Sequence, residues 1–210
     1  MPISPNTEDS DPQQAIPPFR SALFQKMILT IVEYGHPALR SKGRAIDKID
    51  SRIARLAEDM IETMNDAHGV GLAAQQVGLP VQLCVIDVFG AEEPGEMIVN
   101  GAAVSIEDHM PLVLVNPQVE KLGEEITATE GCLSFPGMQG KITRPAEVKV
   151  TATTLENETI TFHATGLLAR AVQHEHDHLH GILFIDRMDP EDLKAAAPVV
   201  DKLMRRNSIG

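Results

Sequence analysis

The sequence predicts an α+β fold, with mainly antiparallel short sheets packed around a central His-Glu-x-x-His helix, one helix nearer the N-terminus and one at the C-terminus. Three observations carry this reading. An amphipathic helical pattern covers about residues 50–67, several short β-rich runs follow it, and two further helical patterns occupy about 166–180 and 190–206. That order lacks the regular strand–helix alternation of a parallel sheet.

Each element has a local cause. Residues 1–21 carry Pro2, Pro5, Pro12, Pro17 and Pro18 and almost no aliphatic side chains beyond Ile3 and Ile16. They read as a disordered extension that buries too little apolar surface to offset its ordering entropy. The extension lacks the basic start and apolar stretch of a secretory signal, and Glu8, Asp9 and Asp11 against Arg20 make it a poor transit peptide. Residues 22–210 read as a single domain. In the first helix Ile53, Leu56, Ala57, Met60, Ile61 and Met64 form one apolar stripe; Asp50 or Ser51 caps it and Gly69 follows it. Val81 to Val88 is a β-rich run between Pro80 and Gly90, and residues 89–109 read as a long loop or hairpin arm. Short strands are expected at 112–115, 126–130, 147–153 and 159–163. Thr165 is the expected N-cap of the second helix and Gly181 its stop. The third helix opens on Pro190, Glu191 and Asp192 and closes on Lys202, Arg205 and Arg206, which matches the helix dipole at both ends.

Composition narrows the class. The 210 residues include 18 Lys+Arg and 30 Asp+Glu, a formal charge of −12, which argues against electrostatic wrapping of nucleic acid and makes DNA an unexpected partner. No apolar run approaches the ~20 residues that span a bilayer, so no membrane partner is expected. Two cysteines build no disulfide framework and fit a reducing compartment.

The chemistry concentrates in Gln173-His174-Glu175-His176-Asp177-His178. Positions i and i+4 of a helix share a face, so His174 and His178 can hold one metal with Glu175 beside them, while His176 and His180 lie off that face. A catalytic site needs a third protein ligand. The metzincin pattern would put a histidine at position 184, which is Phe184, and the thermolysin pattern needs a downstream glutamate on a later helix, where Glu191 comes too soon. The remaining source is upstream. Cys84 alternates with Leu83 and Val85 in a strand and reads as a core residue, whereas Cys132 follows Gly131 at a strand end and can act as nucleophile or thiolate ligand; the histidine pair favours the ligand. A third segment, Gly69-Val70-Gly71-Leu72-Ala73-Ala74-Gln75-Gln76, reads by itself as a tight turn. Another metallohydrolase, or a metal-dependent binding module closed by a fourth ligand, are the competing readings.

Taken together and in this order, Gly69 to Gln76, Glu130-Gly131-Cys132-Leu133-Ser134 and Gln173 to His178 resemble the three motifs of the peptide deformylase family, over most of residues 27–188. The resemblance implies a catalytic domain over 22–210 that hydrolyses the N-formyl group of formyl-methionine on newly made chains and releases formate. It implies one metal on Cys132, His174 and His178, typically Fe²⁺, with Zn²⁺, Ni²⁺ or Co²⁺ as alternatives. Such a metal lowers the pKa of its water toward neutrality. Glu175 then takes the proton and returns it to the leaving nitrogen, and the family assigns oxyanion donors to Gln76 and the backbone N–H of Leu133. Gly69, Val70, Gly71, Leu133 and Ala171 are the pocket candidates, and Arg144 a substrate-side cation or a solvated strand-end charge. Glu130 and Asp177 either orient the metal ligands or pair with an arginine, and Gln173 supports the site from behind. The expected partners are nascent formyl-methionyl peptides and a transient ribosome contact through Lys202, Arg205 and Arg206, in a bacterial cytoplasm.

Overall fold

The computed structural model describes residues 27–207, so the expectation of disorder over 1–21 lies outside the described residues. Helix α1 (Ser51–Asp66) forms where the apolar stripe lies, and the Asp50 carboxylate accepts from the N–H groups of Arg52 and Ile53. Strands β1 (Gly71–Ala73), β2 (Leu83–Ile86), β3 (Met97–Val99), β4 (Ala102–Val104), β5 (Leu112–Gly131), β6 (Gln139–Thr153) and β7 (Thr159–Thr165) follow. Helices α2 (Gly166–Leu179) and α3 (Pro190–Asn207) close the described chain. The α+β reading holds.

The strands join differently from the expectation of several short sheets. All seven form one antiparallel sheet in the order β1-β2-β5-β6-β7-β3-β4. The runs 112–115 and 126–130 are two ends of one 20-residue strand. Its middle is too polar to read as strand, and the ladder with β6 holds it there, a case of pairing overriding local propensity. The ladder shifts between Val115 and Gln118 and between Leu122 and Glu125, beside Asn116 (φ 52°) and Gly123 (φ 77°). The Asn116 amide is anchored by two bonds to the Ile46 backbone.

The 89–109 arm resolves as a hairpin, β3–β4, turning at Asn100-Gly101 and pairing with β7; Met97 reaches the core. The arm lines no part of the cleft described below, so it is an addition to the sheet rather than a flap. Thr165 precedes α2 with extended backbone, but its hydroxyl makes no cap bond and instead accepts from the Glu96 N–H, tying α2 to the arm.

Both faces of the sheet's β1–β2–β5 end are covered. Cys84, Ile86 and Leu114 face a core under α2 with Val148, Phe162, Leu168 and Val172. Leu83, Val85 and Val115 face α1 through Met60 and Met64. Burial on both faces explains the unbroken apolar run at 83–86. A third cluster joins α3 to the loop after β5 through Phe135, Phe184 and Leu203. The central core admits a direct check. Phe162→Ala should cost about 3–5 kcal/mol in urea unfolding; a loss under ~1 kcal/mol would show that α2 and the sheet collapse over the gap.

Candidate metal centre

Helix α2 packs against β1, β2, β5, β6 and β7, and its buried face carries the chemistry. His174 and His178 sit one turn apart with ring centroids 5.1 Å from each other. Cys132 follows the last residue of β5, and its Sγ lies 3.3 Å from His178 Nε2. One donor atom from each of Cys132, His174 and His178 falls within 4.8 Å of the others, and this is the only such group of three or more among the described residues. A thiolate and two imidazoles suit a borderline divalent metal, so the donor set fits the implied ion. His176 and His180 lie against each other with tilted rings, centroids 4.3 Å apart, off the ligand face.

The supports behind these ligands are charged. His174 Nδ1 lies 3.1 Å from Glu130 Oε2, which leaves Nε2 for a metal. Glu130 also accepts from Arg144 (2.7 and 3.0 Å) and from Arg170 (2.7 Å). Arg144 bonds Asp177 at 2.7 Å, and Asp177 accepts two bonds from Arg187. Arg144 is 1% exposed and absent from the cleft wall. Both expectations for it therefore fail. It is neither a substrate contact nor a solvated strand end, because it lies inside β6, with its guanidinium committed to two buried carboxylates. Glu130 does both things considered for it, pairing with arginines and holding His174, whereas Asp177 pairs only with Arg144 and Arg187.

The protonation states follow. Burial opposes charge on Glu130, but His174 and Arg144 outweigh it and hold the carboxyl at about 2. Asp177 is likewise pulled below its ordinary value by Arg187 and Arg144 against burial. In the metal-free centre burial opposes charge on His174, yet Cys132 and Glu130 raise it to about 10, whereas burial and the charge of His174 push His178 well down. Glu175 is pushed up to about 7 by burial, and its Oε2 is buried without a partner.

A cleft of about 630 Å³ opens onto this centre. Gly69, Val70, Gly71, Gln76, Leu133 and Ala171 all line it. Gly71 has a steric reason to be glycine, since a Cβ there would overlap the Glu175 carboxylate; at Gly69 a Cβ would stand 2.7 Å from Leu133 Cδ1. Gln76 is aimed by its own turn. Its Oε1 accepts from Ala73 N–H (2.9 Å), so its Nε2 faces Ser134 Oγ (3.4 Å) and Cys132 Sγ (3.6 Å). Gln173 donates to the carbonyls of Pro145 and Ala169, pinning α2 to β6 behind the site. Sequence reasoning missed Arg170, Arg187 and the wall formed by Phe135 and Met138. Arg170 had a local signal, lying four residues before His174 on the same helix face.

Removing Arg144 tests the charge balance. Arg144→Met leaves Glu130 with Arg170 and His174 and Asp177 with Arg187 alone, so the metal-free protein should lose roughly 3 kcal/mol in urea, the low end of the range for breaking a buried pair. The folded pKa of Glu130 lies below its ordinary 4.5, so the stability it contributes is present above that value and lost as pH falls toward 2. The gap between wild type and variant should therefore narrow over that window. A gap independent of pH would place the effect in packing.

Comparison with known proteins agrees with this geometry. The Polypeptide deformylase family model matches residues 28–194. The peptide deformylase of Methylacidiphilum infernorum (isolate V4) is 46% identical over 183 residues, covering 87% of this chain and 96% of its own. Among solved structures, a plant peptide deformylase, PDF1B, superposes with a TM-score of 0.72 at 37% identity, over 85% of this chain and 90% of its own. The enzyme of Thermotoga maritima gives 0.67 at 35%, over 78% and 99%. By sequence and by fold, the chain belongs to the peptide deformylase family.

Proposed function

We propose that the protein is a metal-dependent hydrolase that removes the N-formyl group from formyl-methionine at the start of newly made polypeptides and releases formate. One observation carries the reading: three metal-type donors stand at the end of a cleft beside a buried carboxylate with an unpartnered oxygen. Cys132, His174 and His178 would hold one divalent ion, Fe²⁺ by family resemblance, with Zn²⁺, Ni²⁺ or Co²⁺ suiting the same donors. When bound, the ion supplies Lewis acidity and makes water a nucleophile near neutral pH.

The protein's own residues do the rest. Glu175 is the proton carrier. A carboxyl lifted to about 7 accepts and returns a proton near neutral pH, and its partnerless oxygen gives that proton a place to sit. Gln76 Nε2 and the Leu133 backbone N–H are the donors for the developing oxyanion beside Cys132. Gly69, Val70, Gly71 and Ala171 shape the wall for the formyl group and the methionine side chain, and the side-chain-free glycines admit the substrate backbone. Arg144 acts from behind, through Glu130, on His174. Residues 22–210 act as one catalytic domain.

A thiolate ligand on an oxidisable ion needs a reducing compartment, which supports a bacterial cytoplasm. Among the described residues no helix is long and apolar enough to cross a membrane. The substrate emerges from the ribosome, and a transient contact there would use the basic end of α3. Lys202, Arg205 and Arg206 are all exposed there, with Arg205 paired to Asp201 and Arg206 to Glu33.

Two measurements test these assignments. Glu175→Ala should retain the metal and lower formate release from formyl-Met peptides by ~100-fold or more. Loss of the metal in that variant would remove Glu175 from the role of proton carrier. Charge reversal at Lys202 and Arg205 should reduce co-sedimentation with ribosomes at low salt, and unchanged pelleting would dismiss the contact.

A further inference from the structure

The histidine run that supplies His174 and His178 supplies a second pair on another face of the same helix. His176 and His180 are again one turn apart, with ring centroids separated by 4.3 Å against 5.1 Å for the first pair, and both are half-buried. The reaction proposed above uses neither of them, and neither lines the cleft.

Three features prepare this pair for a cation. The first is the tautomer. His180 Nδ1 lies 2.8 Å from the His176 carbonyl, so the hydrogen sits on Nδ1 and Nε2 keeps its lone pair. His174 is arranged in the same way by Glu130. The second is a fixed backbone. The His180 N–H donates to the Asp177 carbonyl (2.9 Å) and the Gly181 N–H to the His178 carbonyl (3.0 Å). Gly181 (φ 73°) packs so closely that a Cβ there would stand 2.6 Å from the Arg40 carbonyl oxygen, which holds His180 in place just past the end of α2. The third is access. Among the described residues the His176 ring and His180 Nε2 have no hydrogen-bond partner, yet none of these nitrogens is buried, unlike His178 Nδ1. The local charges nearly offset one another. Lys121 and Arg187 repel a cation at His176, Asp177 attracts one, and the carbonyl end of α2 adds attraction. With Asp177 committed to arginines and no other carboxylate beside the pair, a hard ion gains little there, whereas imidazole nitrogens suit Ni²⁺, Zn²⁺ or Cu²⁺.

We propose that His176 and His180 form a second, surface site for one borderline divalent metal ion, held by His180 Nε2 and a ring nitrogen of His176, with water in the remaining positions. The ion bridges the last turn of α2 to the residue that caps it. His178 lies within that turn, so the second ion steadies the part of the helix that carries a ligand of the first. Two protein donors make the second site weaker and more exchangeable than the first, which has three. The site does not depend on the reaction at the first one.

Equilibrium dialysis of the Ni²⁺-loaded protein against further Ni²⁺ tests this. The wild type should take up about one more ion per chain at micromolar free Ni²⁺. His176→Gln and His180→Gln should each lose that ion while keeping the first ion and the wild-type rate of formate release, which shows that the variants are folded. At about a hundredfold excess of Ni²⁺ over the second Kd, the wild-type Tm should rise by about 5 °C, and neither variant should show the rise. Anomalous scattering from crystals soaked in Ni²⁺ should place a peak between the two rings. No further ion in the wild type, a further ion that either variant retains, or a peak only at other histidines overturns the site. Uptake abolished by an equal concentration of Mg²⁺ also overturns it, because imidazole donors do not favour that ion.

Discussion

The ion cluster beneath His174 is the constraint on which the rest of the molecule turns. Arg144 has the largest side chain fully buried among the described residues, and it lies between two buried carboxylates. Charges taken out of water are unfavourable unless each is matched, and a matched buried set adds little stability over an apolar one. Its value here is positional. Glu130 comes from β5, Arg144 from β6, Asp177 and Arg170 from α2, and Arg187 from the segment beyond, so these four parts of the chain must meet in one arrangement. A one-residue slip of β5 on β6 would turn Arg144 to the opposite face and strand Glu130, and with it the orientation of His174.

This explains what the sequence reveals and what it hides. The His174–Glu175–His178 face is legible because helical geometry alone sets it. The roles of Cys84 and Cys132 are legible because strand alternation and a neighbouring glycine distinguish a core thiol from a strand-end one. Arg144 is not legible. Its partners lie 14 and 33 residues away, and a local reading sees only a charged residue before a strand. The same limit applies to β5, whose polar middle takes its strand conformation from the ladder with β6. The arm at 89–109 did carry a local sign, Asn100-Gly101, of the hairpin that it contains.

The site divides between two parts of the chain. The candidate ligands and their charged supports come from 130–187, whereas the facing wall, with Gly71 and Gln76, comes from the segment after α1. Gly71 joins the two parts: its missing side chain is the space that the Glu175 carboxylate occupies. Sequence motifs far apart in the chain are therefore linked by direct steric dependence.

The β3–β4 hairpin, which touches no part of the cleft, bears on solubility. Without it the sheet would end on β7, a seven-residue strand whose free N–H and C=O groups would offer a template for another chain. With it, Phe162, His163 and Ala164 of β7 are paired, and that end of the sheet finishes on β4, three residues long. A three-residue edge gives an incoming strand few bonds to hold. The hairpin thus covers the end of β7 that leads into α2, where the chain would otherwise offer an open edge.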